Sequence, residues 1–154
     1  RDVAPSRGLG DVYKRQTCKE EVENILADFR KRGIPVAVIN EHLQGDLVKF
    51  YGVHGTDFFY WFYPSPCSHS KFGLEKINGI AKGTPFSVEE LKIQSDKAAE
   101  ALNVPIYGGD CVISADGTLR IIDFNDWPSF ARCREEAGGK IAECIYKRAK
   151  KQMK

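Results

Sequence analysis

The stretch from Tyr107 to Phe130, YGGDCVISADGTLRIIDFNDWPSF, constrains the fold more than any other part of the chain. Two glycines and an aspartate open it, and apolar and polar residues then alternate as they do in a strand. Asp116-Gly117 marks a tight turn, and Leu119 to Phe124 reads as the returning strand of a hairpin. Folding back at that turn brings Asp110 on the outgoing strand close to Asp123 on the returning one. Asn125, two residues beyond Asp123, projects from the same face of an extended chain. Three oxygen-bearing side chains therefore converge at one end of a hairpin whose other positions are largely apolar. Two readings stand at this point. The polar ends are simply solvated, or the two carboxylates and the amide oxygen hold a hard divalent cation such as magnesium, with water and phosphate completing its shell.

The rest of the chain supplies one core for this hairpin. The sequence has 154 residues, 42% of them hydrophobic and 11% aromatic, enough for a compact domain. No apolar run is long enough for a membrane span, and no signal-peptide pattern is present, so a cytoplasmic protein is expected. Five cysteines, at 18, 67, 111, 133 and 144, show no CxxC or zinc spacing and fit reduced thiols. His42, His54 and His69 show no metal spacing either.

Residues 1–16 stand apart. Ser6 to Gln16, SRGLGDVYKRQ, looks like a translated sequencing-library adaptor, the bases GAT GTG TAT AAG AGA CAG encoding Asp11 to Gln16. Such a segment is expected to be disordered and is excluded from fold reasoning. It implies a native chain that starts near Thr17 and lacks something upstream. Setting it aside removes four basic residues and two acidic ones from totals of 23 and 21, leaving 19 of each. A net charge of zero gives no electrostatic reason to expect nucleic acid or membrane partners.

Residues 17–154 read as a single partial domain. Thr17 to Arg32 forms a helix, with Thr17 as N-cap, Glu20 completing a capping box, Val22, Ile25, Leu26 and Phe29 on one face, and Gly33 as the stop. Val36 to Ile39 reads as a short buried strand. Leu47 to Val53 is a second strand, with Leu47, Lys49, Tyr51 and Val53 on one face and Val48, Phe50 and Gly52 on the other. Lys49 among apolar neighbours is either an edge lysine with its stem packed or a buried one facing phosphate. Gly55-Thr56-Asp57 turns into the aromatic strand Phe58 to Tyr63. Its rings raise single-strand nucleic-acid stacking as a remote class, disfavoured because no basic residue interrupts them. Pro64 to Phe86 is long enough for a substrate loop. Ser87, with Glu90, caps a helix running to Asn103. The last helix spans Arg134 to Lys151, with Ala137, Ile141, Ala142 and Ile145 inward. The order implies an α+β fold, a mostly antiparallel sheet with helices packed on it.

From Val36 to the last helix the chain resembles the C-terminal part of an ATP-grasp domain. The likeness is carried by an apolar run ending in Glu41-His42, then Gly45-Asp46, by the Lys49-Phe50-Tyr51-Gly52-Val53 strand, and above all by Asp110 followed about a dozen residues later by Asp123-Phe124-Asn125. What the resemblance implies is a nucleotide site. Ile39, Glu41, His42 and Leu43 would form the hinge along which adenine lies. Glu41 and Asp46 are the candidates for the ribose hydroxyls, and Lys49 would reach phosphate. Asp110, Asp123 and Asn125 would hold Mg2+, or Mn2+, against the β- and γ-phosphates. Arg132 and Arg134 would pair with an anionic substrate or with the transferring phosphate as catalytic groups. Pro128-Ser129-Phe130 resembles a substrate-side loop. The implied activity is transfer of the γ-phosphoryl group of ATP to a carboxylate, as in a ligase working through an acyl phosphate, or to a hydroxyl, as in a kinase. The alternative is a non-catalytic nucleotide-binding module. The glycine-rich loop and phosphate-binding lysines of the family's earlier subdomain have no counterpart in this sequence, so weak magnesium–nucleotide binding and little turnover are expected of this chain alone.

Overall fold

A computed structural model describes residues 16–64 and 80–153. The chain divides into two units, Arg1–Leu43 and Gln44–Lys154. The adaptor-like residues 1–15, and most of the expected substrate loop, with Cys67 and His69, lie outside the described residues.

In the first unit, α1 spans Lys19–Lys31. Its N-cap is Cys18 rather than the expected Thr17. The Thr17 backbone N–H donates instead to Glu21 Oε2 at 2.7 Å, so the reciprocal partner is Glu21 and not Glu20. The expected apolar stripe, Val22, Ile25, Leu26 and Phe29, is the half-buried side of the helix. Gly33, at φ 70°, ends it, with Ile34 N–H bonding back to Phe29. The expected strand at Val36–Ile39 does not form. Val36, Val38 and Ile39 are 64, 62 and 69% exposed, and no ladder partner is present among the described residues. β-Branched composition favours a pleated surface only where a neighbouring strand supplies one.

The second unit contains a four-stranded antiparallel sheet: β1 (Asp46–Val53), β2 (Phe59–Phe62), β3 (Ile106–Ile113) and β4 (Leu119–Asp126), in the order β2-β1-β3-β4. Helix α2 (Val88–Leu102) and helix α3 (Arg134–Gln152) complete an α+β fold, as expected. Both hairpin turns follow their sequence signals. Thr56 Oγ1 bonds Val53 O at 2.7 Å in the first, and Gly117, at φ 82°, closes the second onto Ser114 O at 2.8 Å.

Strand alternation gives the sheet two different faces. On one face, Val48, Phe50, Tyr107, Cys111 and Ile113 pack with Leu91 and Ala99 of α2 into a closed core. Phe50 and Tyr107 carry no exposed surface, and Phe59, Trp61 and Phe124 border them. Gly52 is required here, because a Cβ on it would lie 2.3 Å from the Tyr107 ring. Ser87 caps α2 through Glu90 N–H at 3.1 Å, and Asn103 ends the helix in the left-handed conformation at φ 55°. On the other face, α3 covers one end of the sheet, where Ala137 and Cys144 join Val53, Ile106, Phe58 and Phe130. Cys144 takes the inward position expected of Ile145, which is 47% exposed.

Candidate functional site

The site begins with register. Lys49 of β1 lies between Phe62 of β2 and Asp110 of β3, and Asp110 lies opposite Asp123 of β4. One transverse row therefore reads Phe62, Lys49, Asp110, Asp123, spanning three strand spacings or about 14 Å. The next row on the same face reads Tyr60, Tyr51, Gly108, Asn125.

A β-bulge makes this possible. Asp110 pairs with Asp123 while its neighbour Cys111 pairs with Ile121, leaving Ile122 as an extra residue in β4. Before the bulge, Leu119 and Ile121 turn toward the core under α2; after it, Phe124 does. The phase change aims Asp123 and Asn125 to the opposite face, beside Asp110. Gly109 allows the close approach, since a Cβ there would lie 2.1 Å from the Asp123 carbonyl oxygen.

Asp110 is 8% exposed, and the Lys49 ammonium donates to both its oxygens, at 2.8 and 2.9 Å. Asp123 is exposed and accepts a hydrogen bond from Asn125 Nδ2, which leaves the amide oxygen of Asn125 for another partner. Asp110 and Asp123 face each other directly across a strand pair, an arrangement of like charges that costs stability unless a cation sits with it. Two carboxylates and an amide oxygen suit a hard cation whose other ligands come from water and phosphate. Among the described residues, no three His, Cys, Asp or Glu side chains are grouped to hold a metal. Any cation on this row therefore has an incomplete protein shell.

At the β2 end, Arg132 lies 4.2 Å above the Phe62 ring, with its guanidinium edge donors uncommitted to any acid among the described residues. Phe62 belongs to an aromatic set with Tyr51 and Tyr60, and Phe130 packs on Tyr51 at 5.3 Å. The loop joining β4 to this set is strained. Trp127 and Phe130 have φ of 44° and 49°, a region that bulky residues rarely enter. Trp127 N–H bonds Ile106 O at 2.9 Å, and Pro128 lies against Gly108, where a Cβ would come within 2.8 Å of the proline ring. The expected substrate-side loop is thus tied down beside the row. Arg134 is the first residue of α3 and is exposed.

Asp46 is the first residue of β1 on the face toward α2. Its two oxygens accept the backbone N–H groups of Lys82 and Thr84 at 2.8 and 2.7 Å. Burial opposes its ionisation, but these donors outweigh burial and hold its carboxyl below the usual aspartate value. Its charge is committed to anchoring the segment that enters α2. Ile39, Glu41, His42 and Leu43 belong to the first unit, in an irregular stretch where all but Leu43 are exposed. The two rows thus gather Lys49, Asp110, Asp123 and Asn125 on one face, with Arg132 at its edge.

Sequence reading missed Phe62 as the platform for Arg132 and Ile122 as the bulge residue. The signal for the second was present: apolar positions 119 and 121 are odd, and 124 is even. A separate concavity of about 510 Å3 is lined by His54, Cys144, Tyr146 and the basic end of α3, and contains none of the expected site residues. No protein-family model, curated protein or solved structure matches this chain. Among the described residues no helix is long and apolar enough to cross a membrane.

Proposed function

We propose that this chain carries the magnesium-and-phosphate side of an ATP-dependent phosphoryl-transfer site of the ATP-grasp kind, passing the γ-phosphoryl group to a carboxylate or hydroxyl acceptor. The observation that supports it is the placing of Asp110 directly opposite Asp123, with Lys49 on the first and Asn125 on the second. A sheet has no folding reason to hold facing carboxylates on its polar face, and the bulge at Ile122 is what holds them there.

In this reading, Asp110, Asp123 and the Asn125 amide oxygen would hold Mg2+, which when bound neutralises charge on the phosphate oxygens. Lys49, on a flexible stem, pairs with phosphate oxygens once they arrive. Arg132, stacked on Phe62, presents its edge donors to the transferred group or to an anionic acceptor. The residues do little covalent chemistry; they position and neutralise, which is most of what phosphoryl transfer requires.

Calorimetric titration with Mg2+–ATP tests the reading. Wild type is expected to bind, and Asp123→Ala to bind at least about tenfold more weakly, as expected when a charge-assisted contact is removed. Equal affinity in the two proteins would falsify the assignment. Binding without ATP turnover would make the chain a nucleotide-binding module rather than a catalyst.

A further inference from the structure

Lys49 does more in this geometry than wait for phosphate. Its ammonium spans both oxygens of Asp110, and the two side chains are only 34 and 12% exposed. A buried carboxylate that faces a second carboxylate needs a counter-charge for the fold to be stable. Lys49 supplies one, on the oxygens that a divalent cation would also use. Arg132, one strand further along the row, is stacked on Phe62, whereas lysine's four-carbon stem leaves its charge free to swing.

We infer that Lys49 is a resident counter-cation, and that its exchange for a divalent ion makes metal binding conditional on nucleotide. A free divalent ion must displace the ammonium from Asp110, stranding a lysine charge in a half-buried position. When the ion arrives with a polyphosphate, the displaced ammonium moves to the phosphate oxygens and no charge is left unpaired. Each ligand thus favours the arrangement that the other needs, so nucleotide tightens metal binding and metal tightens nucleotide binding by the same factor. The inference rests on the phosphoryl-transfer reading above and adds an order to it: nucleotide and metal enter together.

The test is calorimetry with Mn2+ alone and with Mn2+–ADP, on the full chain, for wild type, Lys49→Met and Lys49→Arg. Lys49→Met is expected to bind Mn2+ alone about tenfold more tightly than wild type, because the Lys49 contact no longer has to be broken first. Its Mn2+ affinity should rise less on adding ADP than that of wild type, because only the direct phosphate–metal contact remains. Lys49→Arg keeps a charge on Asp110 and should stay as weak for free Mn2+ as wild type. If Lys49→Met binds Mn2+ no better than wild type, the counter-cation role is wrong. Should Lys49→Met be unfolded without metal, refolding on Mn2+ but not on sodium chloride of equal ionic strength supports the role, and no refolding with either overturns it. Failure of wild type to bind Mn2+–ADP while Lys49→Met gains Mn2+ would sink the nucleotide reading and leave the counter-cation intact. Wild-type binding of Mn2+–ADP with no gain in Lys49→Met would do the reverse.

Discussion

On one face of the sheet, Phe50, Tyr107 and Cys111 have no exposed surface, and Leu91 and Ala99 of α2 pack against them. One residue along each strand, on the other face, Lys49, Asp110 and Asp123 form a polar row with Arg132 at its edge. The strands and the backbone ladder are the same for both. Aromatic contacts such as Tyr107 on Phe124, at 5.1 Å, make the first face an interior. The second face holds two carboxylates opposite each other, which adds nothing to folding. Comparing them shows that a single inserted residue, Ile122, decides which residues of β4 serve which face.

Exchanging Asp123 with Phe124 is the most severe way to break that division. The register keeps position 123 on the polar face and position 124 on the closed one, so the exchange puts a carboxylate in the core and a ring outside it. Deleting Ile122, by contrast, only straightens β4 and leaves Asp123 opposite Asp110. Burying a carboxylate without its partner costs about 3–5 kcal/mol. Chemical denaturation should show a loss of at least that size, and Mg2+–ATP binding should fall as far as in Asp123→Ala. An exchange variant with wild-type stability and binding would mean that the bulge at Ile122 does not set the faces.

That residue also shows where sequence reading stops. The hairpin, its turn at Asp116-Gly117 and the convergence of Asp110 with Asp123 were legible because period-2 alternation and turn chemistry are local signals. The bulge was hidden because Ile122 is itself apolar and blends into Leu119-Arg120-Ile121, so the shift of phase shows only at Phe124. The absent strand at Val36–Ile39 fails for a different reason: its composition suits a ladder, but pairing is a tertiary fact. The Lys49–Asp110 ion pair is of the same kind. It joins residues 61 positions apart through the β1–β3 register, which no local pattern encodes.

Truncating one ring on each face sharpens the comparison at smaller scale. Phe50→Ala removes a fully buried ring from the closed face and should cost about 3–5 kcal/mol of stability by denaturant titration. Phe62→Ala removes a half-buried ring from the polar face and should cost about 1–2 kcal/mol. Only the second should also weaken Mg2+–ATP binding, by about fivefold, because Arg132 loses a cation–π contact worth roughly 1 kcal/mol. If Phe50→Ala weakens binding as much in a folded protein, the two faces are not functionally separate.

The smallest effect has the opposite sign and concerns the closed face alone. Ser95 of α2 points into that interior between Leu91 and Ala99, fully buried, and its hydroxyl has no hydrogen-bond partner among the described residues. A buried polar group left unpaired costs about 1–3 kcal/mol, and Ala is the better helix former by a few tenths more. Ser95→Ala should therefore raise stability by about 1 kcal/mol, since it removes the unpaired group and leaves space for no more than one atom. Thermal and denaturant unfolding would both register the gain, with Mg2+–ATP affinity unchanged because the polar row lies across the sheet. A loss of stability would show that the hydroxyl is bonded after all, and that the closed face is not the purely apolar interior its packing describes.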